Sequence, residues 1–527
     1  MMSQDLVAEN HASDILAGLP ARISDILTSW AERSPDRPAL AEADGTWTYR
    51  QLALAVAETQ AFLRHSQVRP GDRVMIVGEN CRAFAAILLA SARLDAWPVP
   101  VNARLSAREI DEIRNHCGAR RVIYTVSVSQ HARDHAKRHG AVVEQILALG
   151  QIAVSPLNEG AISEPIDTNC PDRVAALIYT SGTTGLPKGV MLTHQNLLFA
   201  AAVSARIRAL TPEDRLYGVL PMSHVVGLSV ILLATLLSGA TLYLSLRFDP
   251  MAARLVLERH RVTVLLGVPS MFVQFLEYAK LRGIASLKLP ALRIISCSGA
   301  PLDTAIKSAV ERLFGLTLHH SYGVTETSPS IAQTRIESPR TDTSVGQTVP
   351  GVEVKLVGRN GGPVGRREVG ELWVRGPNVM KGYYHAPEET AAVMDADGWF
   401  NTRDLARSEE NGNLFIVGRT KELIVRFGFN VYPAEVEAVL NSYPAVAKSA
   451  VVGRSVEGNE EVVAFVQPVP GLPLSAAELS EHAALHLAPY KRPSHIFVVA
   501  AMPLTPSGKI VKRDLARMAT YGGDQIR

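Results

Sequence analysis

Short apolar runs alternate with longer amphipathic stretches over most of this chain. RVMIVGEN (73–80) reads as a strand and the alanine-rich residues 82–94 as a helix. RVIYTV (121–126), AALIYT (175–180), RLYGVL (215–220), TLYLSL (241–246), VTVLLGV (262–268), LRIISC (292–297) and LTLHHSY (316–322) follow, with helical patterns between most of them. Apolar strands separated by helices predict an α/β fold whose parallel sheets are covered on both faces. The texture changes near Thr348. VEVKLV (352–357), GELWVRG (370–376) and LFIVGR (414–419) are short strands among glycines and predict a small β-rich unit. It changes again after Arg419, where ELIVRF, a helix over 433–440, SAVVG, VVAFVQP and HIFVVA predict a compact α+β unit. The tail after Arg513 carries few signals.

One stretch needs a membrane test. Residues 225–246 carry no charge and are long enough to span a bilayer. Gly227, Ser229, Ser238, Gly239, Thr241 and Ser245 interrupt them, and Ser238-Gly239 reads as a helix end before a strand. The prediction is a buried helix plus a buried strand.

Composition narrows the class. The chain has 527 residues, 47% hydrophobic and 20% charged, a globular composition with room for two to four domains. A formal net charge of +3 gives no case for a nucleic-acid partner. Cys81, Cys117, Cys170 and Cys297 are scattered without a Cys-x-x-Cys pair, which predicts reduced thiols in a cytoplasmic protein and neither zinc ribbon nor dithiol centre. The opening MMSQDLVAENHASD lacks a basic region followed by an apolar run, so no secretory signal is expected.

The chemistry concentrates in YTSGTTGLPKGV (179–190), a loop leaving the apolar strand VAALI. Glycines let backbone N–H groups approach an anion, the hydroxyls of Thr180, Ser181, Thr183 and Thr184 add donors, and Lys188 adds a point charge. That is a polyphosphate cradle. It is not a Walker A loop, because Pro187 precedes the lysine where that pattern needs glycine. On composition alone a Gly/Ser/Thr turn remains open.

The full string closely resembles the signature loop of the adenylate-forming superfamily, which includes acyl-CoA synthetases, coumarate-CoA ligases, luciferases and nonribosomal adenylation domains. Further motifs in the family's order extend the resemblance over nearly the whole chain. It implies an N-terminal AMP-binding domain over 1–418 (β-rich part about 348–418), a hinge at 419–421 and a mobile C-terminal domain over 422–527. It implies that Thr180, Ser181, Gly182, Thr183, Thr184, Gly185 and Lys188 bind ATP. In SYGVTET (321–327), Ser321, Tyr322 and Gly323 face the nucleotide by the same resemblance. Tyr322 then lies near adenine, Thr325 contacts the α-phosphate and Glu326 helps hold Mg²⁺, which suits hard oxygen ligands shared with phosphates. In isolation Glu326 would read as a helix N-terminal charge.

Ser298, Gly299, Ala300 and Pro301 resemble the turn lining the adenine and acyl sites. Asp404 in NTRD (401–404) matches the aspartate placed on the ribose hydroxyls. The usual form there is Thr-Gly-Asp; Arg403 replaces the glycine, and the resemblance gives no reason for it. Alone, Asp404 would read as a surface loop acid. Arg419 matches an arginine on ribose or phosphate. Lys509 in PLTPSGKI (503–510) resembles the late catalytic lysine, which offsets charge as a carboxylate attacks the α-phosphate; alone it would read as a solvated loop. Lys421 matches the pivot, and Gly428, Phe429 and Asn430 match the loop brought in for thiol transfer. PMSHVVG (221–227) resembles the segment entering the acyl pocket, with His224 near the carboxylate. No aspartate stands there to pair with an amino group, so an acid with an apolar fatty or aryl tail is expected.

The resemblance therefore implies an ATP-dependent acid–thiol ligase. Acid and Mg·ATP give acyl-AMP and pyrophosphate; coenzyme A then takes the acyl group and AMP leaves. An acyl-AMP ligase loading an acyl carrier protein and a nucleotide-binding pseudoenzyme are the alternatives. No integral membrane association is expected, and the oligomeric state is left as monomer or homodimer.

Overall fold

The structure is a computed structural model that describes residues 12–180, 187–358, 360–365, 367–426, 429–456, 459–504 and 510–521. Among the described residues two large sheets dominate. The first has five strands, in the order Trp97–Asn102, Arg73–Gly78, Arg121–Tyr124, Gly150–Val154 and Val142–Ile146. Its first three are parallel and the last two antiparallel. The second has nine strands. Its parallel centre runs Leu318–Tyr322, Ile294–Cys297, Val264–Gly267, Arg215–Gly218, Thr241–Leu244 and Pro38–Glu42. The central strands Val264–Gly267 and Ile294–Cys297 are wholly buried, as strands covered by helices on both faces must be.

The helix Arg82–Arg93 is buried from Ala83 to Ala92. It touches strands of both sheets, which accounts for its lack of a polar face. The uncharged stretch forms a π-helix, Val226–Leu233, then one α-turn, Ala234–Leu237, then the strand Thr241–Leu244. Gly239 closes the helix at φ +69°, against the Trp30 ring. No helix among the described residues is long and apolar enough to cross a membrane. The π-geometry departs from the plain helix expected. Ser229 Oγ donates to Val225 O and Ser328 O (2.9 and 2.5 Å), tying this widened turn to the neighbouring loop.

Two smaller sheets were only partly foreseen. AALIYT belongs to the strand Val174–Thr180, which pairs antiparallel with Lys188–Thr193, so the phosphate-loop candidate closes a hairpin. The β-rich unit is a four-stranded antiparallel sheet of Glu353–Val357, Gly370–Arg375, Phe400–Ser408 and Leu414–Arg419. Asp404 is therefore a strand residue, 3% exposed, and not the surface loop acid its immediate sequence suggests. After the 3₁₀ turn Thr420–Glu422 come the paired strands Ile424–Arg426 and Phe429–Val431, then a three-stranded sheet flanked by Pro433–Asn441, Ala476–His486 and Lys512–Tyr521. The last helix lies in the tail that carried few sequence signals. Its Leu515 and Ala519 pack under Phe465, a face too short to stand out from the polar residues around it.

Candidate functional site

Neighbouring parallel strands send their outgoing loops to one edge. Arg215–Gly218, Val264–Gly267, Ile294–Cys297 and Leu318–Tyr322 run side by side. Their carboxyl ends therefore gather the turn to His224, the turn Ser298-Gly299-Ala300-Pro301, and Gly323 through Glu326. Ligands of open α/β sheets sit in the crevice outside such ends.

Each turn is held by specific contacts. Ser298 N donates to Gly267 O at 3.1 Å, and Gly299 turns the chain at φ +81°. At Gly323 a Cβ would lie 1.3 Å from Pro329 O, so no other residue lets the chain pass. Beyond it, Thr325–Thr327 forms one 3₁₀ turn that presents Thr325 and Glu326. His224 is exposed, and its Nδ1 accepts from Val226 N at 3.3 Å. Buried Asn80 holds the approach: Nδ2 donates to Gly218 O and Leu220 O (3.1 and 3.0 Å), and Oδ1 accepts from Met222 N (2.8 Å). The sequence showed Asn80 only as the polar end of a strand; its partners are over a hundred positions away.

Asp404 anchors the first polar cluster. It pairs across the sheet with Arg419, whose Nε lies 3.0 Å from Asp404 Oδ1. Tyr322 OH donates to Asp404 Oδ2 at 2.5 Å. Burial pushes the Asp404 carboxyl up, opposed by the Arg419 charge and the Tyr322 hydrogen bond. Asp404 in turn raises Arg419. Burial first and Asp404 second push the Tyr322 hydroxyl well up, so it is a donor at neutral pH. Ser321, beside Tyr322, pairs with Gln333 and is half-buried. Arg403 takes φ +57°, in the left-handed region. A residue with a Cβ is disfavoured there, which suits the glycine of the Thr-Gly-Asp form that the family resemblance implies.

Tyr383 anchors the second cluster, which the sequence reading missed. Its hydroxyl donates to Glu326 Oε1 at 2.8 Å, and its pKa is raised by burial and then by Glu326. The Lys188 ammonium sits 5.0 Å from the centre of the Tyr383 ring and pairs with Glu389. Glu326 is thus a carboxylate held by a tyrosine hydroxyl, more than a helix-end charge. The available signal was the compact GYYHAPEET (382–390). Asn196 holds this segment by donating to Pro377 O and Val379 O (2.7 and 2.9 Å). Met380 N then donates to Glu326 O at 2.8 Å.

Thr180 and Lys188 face each other across the hairpin. Ser181, Gly182, Thr183, Thr184, Gly185, Gly428 and Lys509 lie outside the described residues. Lys421 is in the 3₁₀ turn Thr420–Glu422. Phe429, 55% exposed, stacks on Tyr490 at 4.7 Å, within the C-terminal unit. Asn430 Oδ1 is buried with no hydrogen-bond partner among the described residues.

No group of three or more His, Cys, Asp or Glu suited to a metal occurs among the described residues, so they form no all-protein cage. One carboxylate, Glu326, held by Tyr383, fits a Mg²⁺ whose other ligands are phosphate oxygens and water.

Comparison with known proteins agrees with this geometry. A family profile described as AMP-binding enzyme matches residues 27–384, and one described as AMP-binding enzyme C-terminal domain matches 435–509. A feruloyl-CoA synthase from Amycolatopsis sp. is 36% identical over 503 residues, spanning 93% of this chain and 98% of its own. ATP-bound MatB from Rhodopseudomonas palustris superimposes with a TM-score of 0.84 at 28% identity, over 95% of this chain and 99% of its own. O-succinylbenzoate coenzyme A synthetase (MenE) from Bacillus subtilis, in complex with ATP and magnesium ion, gives 0.80 at 30% identity, over 93% and 99%.

Proposed function

We propose, from the premise that this chain belongs to the AMP-binding enzyme family, that it activates a carboxylic acid with an apolar tail as acyl-AMP and passes the acyl group to coenzyme A. The observation that carries this is the convergence of two polar clusters on the carboxyl ends of the parallel strands: Asp404 with Tyr322 and Arg419, and Glu326 with Tyr383 and Lys188.

The residues divide the work. Asp404, ion-paired with Arg419, accepts the ribose hydroxyls, while the Tyr322 ring lies against adenine between Ser321 and Gly323. Gly299, Ala300 and Pro301 close the adenine side; Ser298 and Gly323 border the acyl chain, and His224 stands at its carboxylate. Thr180, the 181–185 loop and Lys188 take the polyphosphate, with Thr325 on the α-phosphate. Glu326 would hold Mg²⁺, which supplies charge neutralisation on the phosphate oxygens. Lys509 offsets the charge that builds as the carboxylate attacks the α-phosphorus. The C-terminal unit over 422–527 then turns about 419–421 and brings Gly428, Phe429 and Asn430 to the thioester step. The unpartnered Asn430 Oδ1 is an acceptor free for that role.

The relative named as a feruloyl-CoA synthase makes aryl acids the first to test. Purified protein with Mg·ATP is assayed for AMP release against ferulate, coumarate, benzoate and C2–C16 aliphatic acids, with and without CoA. The expected result is acid-dependent AMP formation stimulated by CoA, strongest with an aryl acid. Stimulation by an acyl carrier protein alone would replace CoA as the acceptor, and no acid-dependent AMP with any acid would overturn the reading.

A further inference from the structure

The departure from the Thr-Gly-Asp form that the family resemblance implies puts a guanidinium where that form has no side chain. Arg403 keeps its left-handed backbone with help from Asn401, whose Oδ1 accepts from Arg403 N at 2.8 Å. Its pairing with the strand Gly370–Arg375 slips between Glu371 and Trp373, so Arg403 sits in a bulge. Bulges re-aim side chains and recur beside active sites. Among the described residues the half-buried guanidinium has no hydrogen-bond or ion-pair partner. The side chain thus disfavours its own backbone conformation and gains no ion pair among the described residues for it.

Its surroundings indicate what completes it. The Arg403 charge reaches the hydroxyl of Tyr383. That hydroxyl holds Glu326 at 2.8 Å, and Lys188 lies 5.0 Å from the centre of the same ring. Asp404, the next residue, is already occupied by Tyr322 and Arg419. Lys188 and Arg403 are therefore two cations grouped around the tyrosine that fixes Glu326. Lys188 has a carboxylate partner, Glu389, while Arg403 has none among the described residues.

We propose that Arg403 binds the β,γ-phosphates of ATP, and hence the pyrophosphate leaving group, as a second cation beside Lys188. This rests on the nucleotide site proposed above. In adenylation the carboxylate oxygen bonds to the α-phosphorus while the bond from that phosphorus to the bridging oxygen breaks. The electron pair departs on pyrophosphate. A planar guanidinium can take two oxygens of that leaving group through parallel N–H bonds from two nitrogens, a fixed geometry that a lysine's single ammonium lacks. The phosphates of coenzyme A share this chemistry, so the test separates the two sources.

Equilibrium binding of Mg·ATP, Mg·pyrophosphate and AMP, together with the KM for CoA, is measured on wild type, Arg403→Gly, Arg403→Lys and, as a charge-loss control on the same strand, Arg407→Gln. Glycine suits φ +57°, so the first variant keeps its backbone. Loss of one charge-assisted contact predicts roughly tenfold weaker Mg·ATP and Mg·pyrophosphate for Arg403→Gly, with AMP unchanged, partial recovery for Arg403→Lys and no change for Arg407→Gln. Equal Mg·ATP affinity in Arg403→Gly and wild type overturns the proposal. So does equal weakening of AMP, which would mean damage through Asp404, and so does a rise confined to the KM for CoA. Wild type that binds no Mg·ATP would instead remove the nucleotide site itself, and Arg403's role with it.

Discussion

At the scale of single residues, Asp404 combines two demands that conflict. Burial favours its neutral form, yet its proposed work needs a carboxylate, and Arg419 at 3.0 Å supplies the counter-charge. Asp404→Asn keeps an acceptor for Tyr322 and removes the charge. We expect kcat/KM for ATP to fall by about 10²-fold, the scale of two charge-assisted hydrogen bonds weakened together. Acid-dependent pyrophosphate release measures this; a variant with more than half of wild-type activity would take Asp404 out of the nucleotide site. His194 offers a prediction about stability instead. It is fully buried, its Nδ1 accepts from Ile23 N at 3.2 Å, and burial pushes the imidazole down to about 4. A folded value below the ordinary 6.5 means that protons favour the unfolded chain. The stabilisation is complete above pH 6.5 and lost as pH falls toward 4, a difference of roughly 3 kcal/mol. Urea unfolding at pH 7 and pH 4.5 should show a smaller pH effect for His194→Gln than for wild type. Identical pH effects would assign the acid sensitivity elsewhere. His319 and His320, also lowered by burial, leave a residual slope.

At the scale of elements, legibility followed how much of an element's burial is written in its own residues. Central strands of the large sheet such as Val264–Gly267 are continuous apolar runs, so VTVLLGV announced itself. Phe400–Ser408 did not. Asn401, Thr402, Arg403 and Asp404 break any alternation, and the strand forms because Glu371, Leu372 and Arg419 meet those polar groups from neighbouring strands. Tyr383 was hidden for the same reason, since its partners Glu326 and Lys188 are distant in sequence. The π-helix Val226–Leu233 is a third case, because hydrophobicity alone cannot separate α from π winding. Its start depends on Gly227, where a Cβ would stand 2.0 Å from Pro221 O. Gly227→Ala must push the 221–224 turn aside. We expect a loss of about 1–3 kcal/mol, typical of overpacking, and a several-fold higher KM for the acid with a smaller change for ATP. Thermal melts and acid-saturation kinetics check both. An unchanged KM for the acid would detach His224 and its turn from the acyl site.

At the scale of the whole molecule, the contacts around Lys421 bear on the hinge proposed at 419–421. Thr420 Oγ1 donates to Glu371 Oε1 at 2.8 Å, and Glu371 belongs to the four-stranded sheet. Glu422 faces the other way: its Oε2 accepts from Lys512 Nζ at 2.9 Å, and Lys512 also pairs with Glu437 at 2.8 Å, inside the C-terminal unit. The residues flanking Lys421 are thus tethered to the four-stranded sheet on one side and to the C-terminal unit on the other. A rotation that leaves both tethers intact is absorbed by the dihedrals between 420 and 422, which is how hinges at element ends work. Proline at 421 would fix φ near −65° and remove one of those dihedrals. The 3₁₀ turn there tolerates that angle, so Lys421→Pro should fold and keep the conformation it starts in. Adenylation should stay within about twofold of wild type while acyl transfer to CoA falls by about tenfold or more, as expected when a domain motion gates one step of two. Single-turnover pyrophosphate release reads the first step. Acyl-CoA formation from preformed acyl-AMP reads the second. Equal losses in both would move the pivot away from Lys421. A selective loss of the second would tie thiol transfer, and with it the Phe429-Asn430 loop, to rotation about this one residue.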